Sequence, residues 1–305
     1  MLSVHVDSYL AARRAVGYQL RDTEDILRDF VAFASAQADT HIRNRTVLDW
    51  MRNRSSSPLR QYTRLRTVIL WAGYLHAEDA RHEIPSQELF PRHSVQRRPP
   101  FLFSPVDVGR LVRAGRALGP EGSLQPHIYG TLFGLLASTG LRISEALNLR
   151  IEDVTPDGLL VRNTKFGKSR LLPLHATTKE RIENYLIRRL DEAGSCPYVF
   201  VSIRGSKLHR NTARGVFRRL VYRLGITRPQ DKISPRLHDL RFYFANQALT
   251  HSPCDPDGIG RHMIALTTYL GHSDVRNSYW YLEATPALFS KIAMRCEDFA
   301  NGGNS

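Results

Sequence analysis

The chain has 305 residues, 42% of them hydrophobic, which is enough for two domains of ordinary size with real cores. No run of about 18 apolar residues occurs and the N-terminus lacks a basic segment followed by an apolar one, so neither a membrane span nor a secretion signal is expected. The net charge of +14 points to a polyanionic partner, nucleic acid first. The three cysteines (Cys196, Cys254, Cys296) are odd in number and far apart. They make neither a disulfide framework nor a zinc pattern, and are expected to be thiols in a reducing cytoplasm.

In chain order, residues 1–90 read as helical throughout, a DNA-binding domain. Thr23 is a plausible N-cap, followed by Ile26, Phe30, Phe33 and Gln37 at helical spacing. After Pro58, the residues Leu59, Tyr62, Leu65, Ile69, Ala72 and Leu75 form an apolar stripe. The aromatics of these helices are expected in the core rather than stacked on bases. Seven arginines (Arg43, Arg45, Arg52, Arg54, Arg60, Arg64 and Arg66) fall in one stretch with a single acid, Asp49. They are candidate phosphate contacts, with Arg60, Arg64 and Arg66 lying off the apolar stripe. The Pro- and Arg-rich segment 91–103 reads as a linker, and residues 104–305 as a second domain.

That domain opens with Ser104 and Pro105 as cap and first turn of a helix. An apolar run, Tyr129 to Ala137, ends at Ser138-Thr139-Gly140, and a helix is expected from Leu141 to Leu149. Leu159–Arg162 and Arg170–Leu174 read as strands of a β-hairpin around Thr164-Lys165-Phe166-Gly167-Lys168. Helices are expected at Thr178–Asp191, Arg210–Arg223 and Pro235–Leu249, the last with Ser234 as N-cap. A C-terminal helix from Thr285-Pro286 would carry Leu288, Ile292, Cys296 and Phe299 on one face. Between Val201 and Gln230 lie eight Lys or Arg residues and no acid, a second basic stretch in which Arg204, Lys207, Arg210 and Arg214 are candidate DNA contacts. The fold class is mainly α with a small antiparallel β-sheet.

Four short motifs stand in order: TGLRISE at 139–145, the Lys165 hairpin, HDLR at 238–241, and LGH at 270–272 followed nine residues later by Tyr281. Each is weak alone. As an ordered set in a strongly basic chain they resemble the tyrosine recombinase (phage integrase) family, over about residues 101–300. The phrase TYLGHSDVRNSYWYLEATP resembles the branch carried on bacterial mobile elements. The resemblance implies a two-domain clamp on duplex DNA, strand cleavage and rejoining through a 3′-phosphotyrosyl link, no cofactor, and four protomers holding two duplexes through a Holliday junction.

The chemistry of the residues agrees. Transesterification at a phosphodiester needs an oxygen nucleophile, cationic donors for the phosphorane and an acid for the leaving oxygen. Arg142 and Arg241 would offer planar forks to the non-bridging oxygens. His238, three residues before Arg241, would help deprotonate the tyrosine, and His272 would donate to the phosphorane; both can titrate near neutral pH. Lys165 is the candidate general acid, with Lys168 its competitor. A lysine there is informative, since the chain has six lysines against 37 arginines and an arginine does not give up its proton. Tyr281 is the candidate nucleophile, Tyr279 its rival, and Tyr243 and Tyr269 remoter ones. Glu145 is expected to orient an arginine or a histidine. No carboxylate cluster suggests Mg²⁺ and no GxxxxGK[ST] loop suggests ATP. A topoisomerase of type IB, relaxing one duplex without a dedicated site, and a DNA-binding protein with a decayed site are the alternatives.

Overall fold

The computed structural model describes residues 2–54, 57–86, 88, 98–120, 122–162, 169–227, 234–250 and 256–271. It divides into two compact units, Met1–Arg98 and Pro99–Ser305. Among the described residues, no helix is long and apolar enough to cross a membrane.

The first unit has four helices among its described residues: α1 (Leu2–Ala15), α2 (Arg21–Ala36), α3 (Asn44–Arg52) and α4 (Pro58–His76). Its core is built from Leu27, Phe30, Ala34, Val47, Trp50, Val68 and Trp71, all without solvent contact. Phe30 meets Trp50 edge-on at 5.3 Å. These aromatics are core, as the sequence suggests, but the buried stripe on α4 begins at Leu65, nearly two turns later than expected. Leu59 and Tyr62 are exposed, and Val68 and Trp71 join Leu65, Ala72 and Leu75 inside. Ser57 caps α4 by accepting from the Arg60 amide, with Pro58 at the first position. Thr23 is no N-cap: α2 starts two residues earlier, where Asp22 and Glu24 face the positive end of the helix.

Residues 77–86 are turns and coil rather than helix. They are pinned by His82, whose Nδ1 accepts from the Ile42 amide at 3.1 Å. Burial lowers the His82 pKa, and neighbouring His41 lowers it further, so the ring stays neutral with its proton on Nε2.

The second unit is built around α6 (Gln125–Thr139), whose face-all-round burial includes Ile128, Leu132, Phe133, Leu135 and Leu136. It packs against α5 (Pro105–Arg116), α8 (Ala176–Ala193) and α10 (Asp239–Thr250). Each such buried side chain contributes about 1.5–3 kcal/mol, which makes α6 a rigid axis. Ser104 and Asp107 form a capping box at the start of α5. A short helix, α7 (Ile143–Asn148), leads into a three-stranded antiparallel sheet of β1 (Val154–Thr155), β2 (Gly158–Val161) and β3 (Arg170–Leu172). Val161 pairs with Arg170; the turn holding Lys165 and Lys168 lies outside the described residues. α9 spans Arg210–Arg223 and α11 spans Pro256–Leu270.

Three expectations are corrected here. The helix after Gly140 starts at Ile143, with Arg142 at its N-cap in extended conformation. The helix expected from Pro235 starts at Asp239, whose carboxylate accepts from the Arg236 amide at 2.7 Å while the Asp239 amide donates to the Arg236 carbonyl at 2.9 Å, holding residues 236–239 in a turn ahead of the helix. The stretch between Leu249 and Leu270, for which no element was expected, contains α11. This helix buries Met263, Leu266 and Leu270 against Phe242, Ala245 and Leu249 of α10. The segment 91–97 and the C-terminal helix expected from Thr285 lie outside the described residues.

Candidate active site

The site is built where three chain segments end against one another. Gly140 terminates α6 at φ 63, in the left-handed region, and turns the chain so that Arg142 heads α7. A Cβ at Gly140 would lie 2.6 Å from Phe244 Cδ1 and 2.9 Å from Leu270 Cδ2, so α10 and the end of α11 close directly over this glycine.

Arg142 is anchored by Glu145. Its Nη1 donates to Glu145 Oε1 at 2.7 Å, and its amide donates to Oε2 at 3.0 Å. From β3, Arg170 donates to the same carboxylate, Nη2 to Oε2 at 3.0 Å and Nη1 to Oε1 at 3.3 Å. Glu145 is buried. Burial pushes its carboxyl pKa up, but the hydrogen bonds and charges of Arg170 and Arg142 more than offset that, and the net shift is downward.

Arg241, in the first turn of α10, is 1% exposed. Its Nη1 donates to the Gly140 carbonyl at 2.7 Å and its Nη2 to the Leu270 carbonyl at 2.8 Å. Arg142 Nη2 reaches the next carbonyl, Gly271, at 3.4 Å, and Arg170 Nε the preceding one, Tyr269, at 3.0 Å. Three successive carbonyls at the end of α11 therefore each accept from a different guanidinium. A helix C-terminus leaves such carbonyls without intrahelical partners and carries partial negative charge, so cations suit it on both counts.

His238 lies in the turn before α10, and its carbonyl accepts from the Arg241 amide at 3.1 Å. Its ring stands edge-on to Phe242 at 6.2 Å. The residue keeps a solvent-exposed edge, while its protein side is crowded. Its pKa is pushed down to about 4, first by desolvation, then by the cations Arg241, Arg236, Arg142 and Arg210. This corrects the expectation that His238 titrates near neutral pH: here it is a neutral imidazole at pH 7.

Lys165, Lys168, His272, Tyr279 and Tyr281 lie outside the described residues. Two of the rival phenols are described and are held in packing. Tyr269 stacks on Phe244 at 5.3 Å, and burial pushes its pKa up to about 12 against the pull of Arg170. Burial also raises Tyr243. Neither is poised to ionise.

The candidate DNA contacts divide by their partners. Arg45 and Arg52 are highly exposed and lie loosely about Asp49 at 3.9 and 3.6 Å. Arg60, Arg66, Arg204, Arg210 and Arg214 are exposed. Arg43 faces Glu83 at 3.7 Å, Arg54 is bound to Asp29 at 2.6 Å, and Arg64 lies over the Trp50 ring at 5.8 Å. Lys207 is tied down most firmly, donating to Asn148 Oδ1 at 2.5 Å with its ammonium 4.1 Å from the Tyr198 ring. Sequence reasoning missed Arg170 as a site residue. It was visible as the arginine opening the second strand and as the end of the Lys-x-Arg pattern (Lys168-Ser169-Arg170) that favours Lys165 by resemblance, with nothing to say which way it points.

The phage integrase family model matches residues 120–287. The chain is 38% identical over 304 residues, covering 96% of each protein, to the provisionally named integrase/recombinase y4rB of Sinorhizobium fredii. It is 33% identical over 172 residues to the tyrosine recombinase XerA of Pyrococcus furiosus, covering 55% of this chain and 54% of that protein. Among solved structures, the XerH site-specific recombinase bound to its palindromic difH substrate aligns with a TM-score of 0.64 at 18% identity, over 89% of this chain and 78% of that one. The Tn1549 transposon integrase in complex with transposon right end DNA aligns at 0.62 and 16% identity, over 98% and 99%. At these identities the structural likeness speaks to the fold alone.

Proposed function

The chain belongs to the phage integrase family, and on that premise we propose that it is a site-specific DNA recombinase whose strand-transfer site is the cluster at the end of α11. One observation carries the reading. Arg142 and Arg241 converge on carbonyls of adjacent residues immediately before His272.

The proposed reaction has two mirrored steps. The Tyr281 phenol oxygen attacks the scissile phosphorus, with its proton passing toward His238. The bond from phosphorus to the 5′ oxygen breaks, and Lys165 protonates that oxygen. Arg142, Arg241 and His272 hold the non-bridging oxygens as charge builds in the phosphorane. A 5′-hydroxyl from a second duplex then attacks the 3′-phosphotyrosyl link and releases the tyrosine. One ester is exchanged for another, so the bond energy is kept. Several exposed arginines of both units bind the phosphates of the duplex. The protomers assemble as a tetramer on two duplexes, in the service of integration, excision or transposition of a mobile element.

The test is a nicked duplex built from the DNA junctions of the element that carries the gene. Wild type and Tyr279→Phe should yield protein covalently joined to DNA, and Tyr281→Phe should not. Binding without any covalent adduct would leave only a DNA-binding role. Relaxation of supercoiled plasmid lacking those junctions would indicate a topoisomerase.

A further inference from the structure

Arg170 is 14% exposed and makes two kinds of contact at once. One terminal edge of its guanidinium embraces both oxygens of Glu145, at 3.0 and 3.3 Å, and shares Oε1 with the bond that Arg142 donates. Its Nε donates to the Tyr269 carbonyl at 3.0 Å. The side chain also fills the space under the turn that follows α11. Gly271 sits at φ 66, and a Cβ there would lie 2.8 Å from Arg170 Nη1 and 3.0 Å from its Cζ. Gly271 is thus shaped around Arg170 as much as around its own turn. Arg170 is also the first residue of β3, two residues after the turn that holds Lys165 and Lys168.

We infer that Arg170 is a positioning residue for strand cleavage, holding Glu145 against Arg142 and fixing the end of α11 with the same planar group. This rests on the recombinase reading above. Arg170 itself faces a carboxylate and a main-chain carbonyl, so it acts through Arg142 and through the segment that continues into His272. The geometry needs an arginine: a lysine ammonium has no rigid fork to bridge a carboxylate and a carbonyl on two different elements. Without Arg170, Glu145 keeps one guanidinium instead of two, and Arg142 loses the fixed carboxylate that aims it. A displacement of about 1 Å at such a group costs about 100-fold in rate.

The experiment measures, on the nicked junction duplex, the single-turnover rate of covalent adduct formation and, by gel shift, the Kd for the same DNA. Wild type, Arg170→Ala, Arg170→Lys, Glu145→Gln and the double variant Arg170→Lys/Glu145→Gln are compared, with folding followed by circular dichroism. Arg170→Lys should cut the cleavage rate by about 100-fold while leaving Kd within about threefold. The double variant should be no slower than the worse single one, because both substitutions break one relay. The inference is overturned if Arg170→Lys cleaves at the wild-type rate, if its loss appears in Kd instead, or if the two losses multiply. If Arg170→Ala does not fold, Arg170→Lys still gives the answer. Absence of any adduct from wild type would count against the recombinase reading, not against the role of Arg170 within it.

Discussion

Arg142 and Arg241 come from different helices yet donate to the carbonyls of two consecutive residues, Gly271 at 3.4 Å and Leu270 at 2.8 Å. Before DNA binds, the two guanidinium groups are thus already collected at one spot, with main-chain oxygens as their acceptors. Each terminal nitrogen of such a group carries two hydrogens, so a phosphate can be met by exchange of acceptors rather than by rebuilding the site.

Arg142→Ala and Arg241→Ala should each lower the single-turnover cleavage rate by about 10²–10³-fold. Arg241→Lys should fail nearly as badly, because an ammonium cannot span the carbonyls of Gly140 and Leu270 as the planar fork does. A wild-type rate for Arg241→Lys would show that the fork is not used.

His238 should titrate with a pKa near 4 in the DNA-free protein, followed by NMR of its ring protons. Because the folded value lies below the unfolded one of about 6.5, the unfolded chain binds the proton more readily between them. The contribution of His238 to stability is therefore complete above about pH 6.5 and is lost as the pH falls toward 4. Arg142→Gln removes one of the responsible cations and should move the pKa upward. Bound DNA should do the same, its phosphate offsetting the cations.

Glu145 has the ordinary carboxylate sign: its folded pKa is depressed, so its stabilising effect is present above the unfolded value of about 4.3 and fades as the pH drops through the folded one. Glu145→Gln should melt below wild type at pH 7, and the gap should narrow as the solution is acidified past pH 4. A gap that is constant with pH would mean that the carboxylate charge is not what holds Arg142 and Arg170.

Gly140→Ala should destabilise the second unit. The left-handed backbone costs about 1–2 kcal/mol, and a methyl group 2.6 Å from Phe244 Cδ1 adds about 1–3 kcal/mol of overpacking. The melting temperature should fall by several degrees, with cleavage falling alongside, since Arg142 starts two residues later.

Among the basic side chains, Arg204→Ala, Arg210→Ala and Arg214→Ala should weaken DNA binding. Each phosphate left without its cation should lower the slope of log K against log salt by about 0.9. Lys207→Ala should act mainly on stability, since that ammonium already holds Asn148 and Tyr198. Equal losses of affinity for Lys207 and Arg204 would refute the distinction.

Where the sequence pattern and a local signal coincided, the fold was legible. The capped start of α5 and the span of α9 stand as read, and β2 and β3 pair as expected within about two residues. The misplaced starts of α7 and α10 share a feature: an acid, Glu145 or Asp239, takes the amide of the arginine three residues before it, Arg142 or Arg236; in α7 that puts the helix boundary on the arginine, while α10 begins at the acid itself. No propensity rule names arginine as a cap. α11 escaped because Gly258 and Gly260 break its pattern and its stability comes from packing on α10. Arg142, His238 and Arg241 were legible as a set because their chemistry demands those residue types. Glu145 was legible as a group that orients an arginine; Arg170 as its second partner was not, since it reaches Glu145 across an interval that only folding closes.

The carbonyls of Tyr269, Leu270 and Gly271 present the same oxygen whatever side chains those positions bear. Mutational drift along α11 can proceed without unseating the guanidinium groups, provided that the helix stops at the same height and the glycine turn survives. An inserted or deleted residue within α11 is another matter: it would rotate the helix end by about 100° and present the arginines with the wrong oxygens. Relatives should therefore tolerate substitution here far better than changes of length.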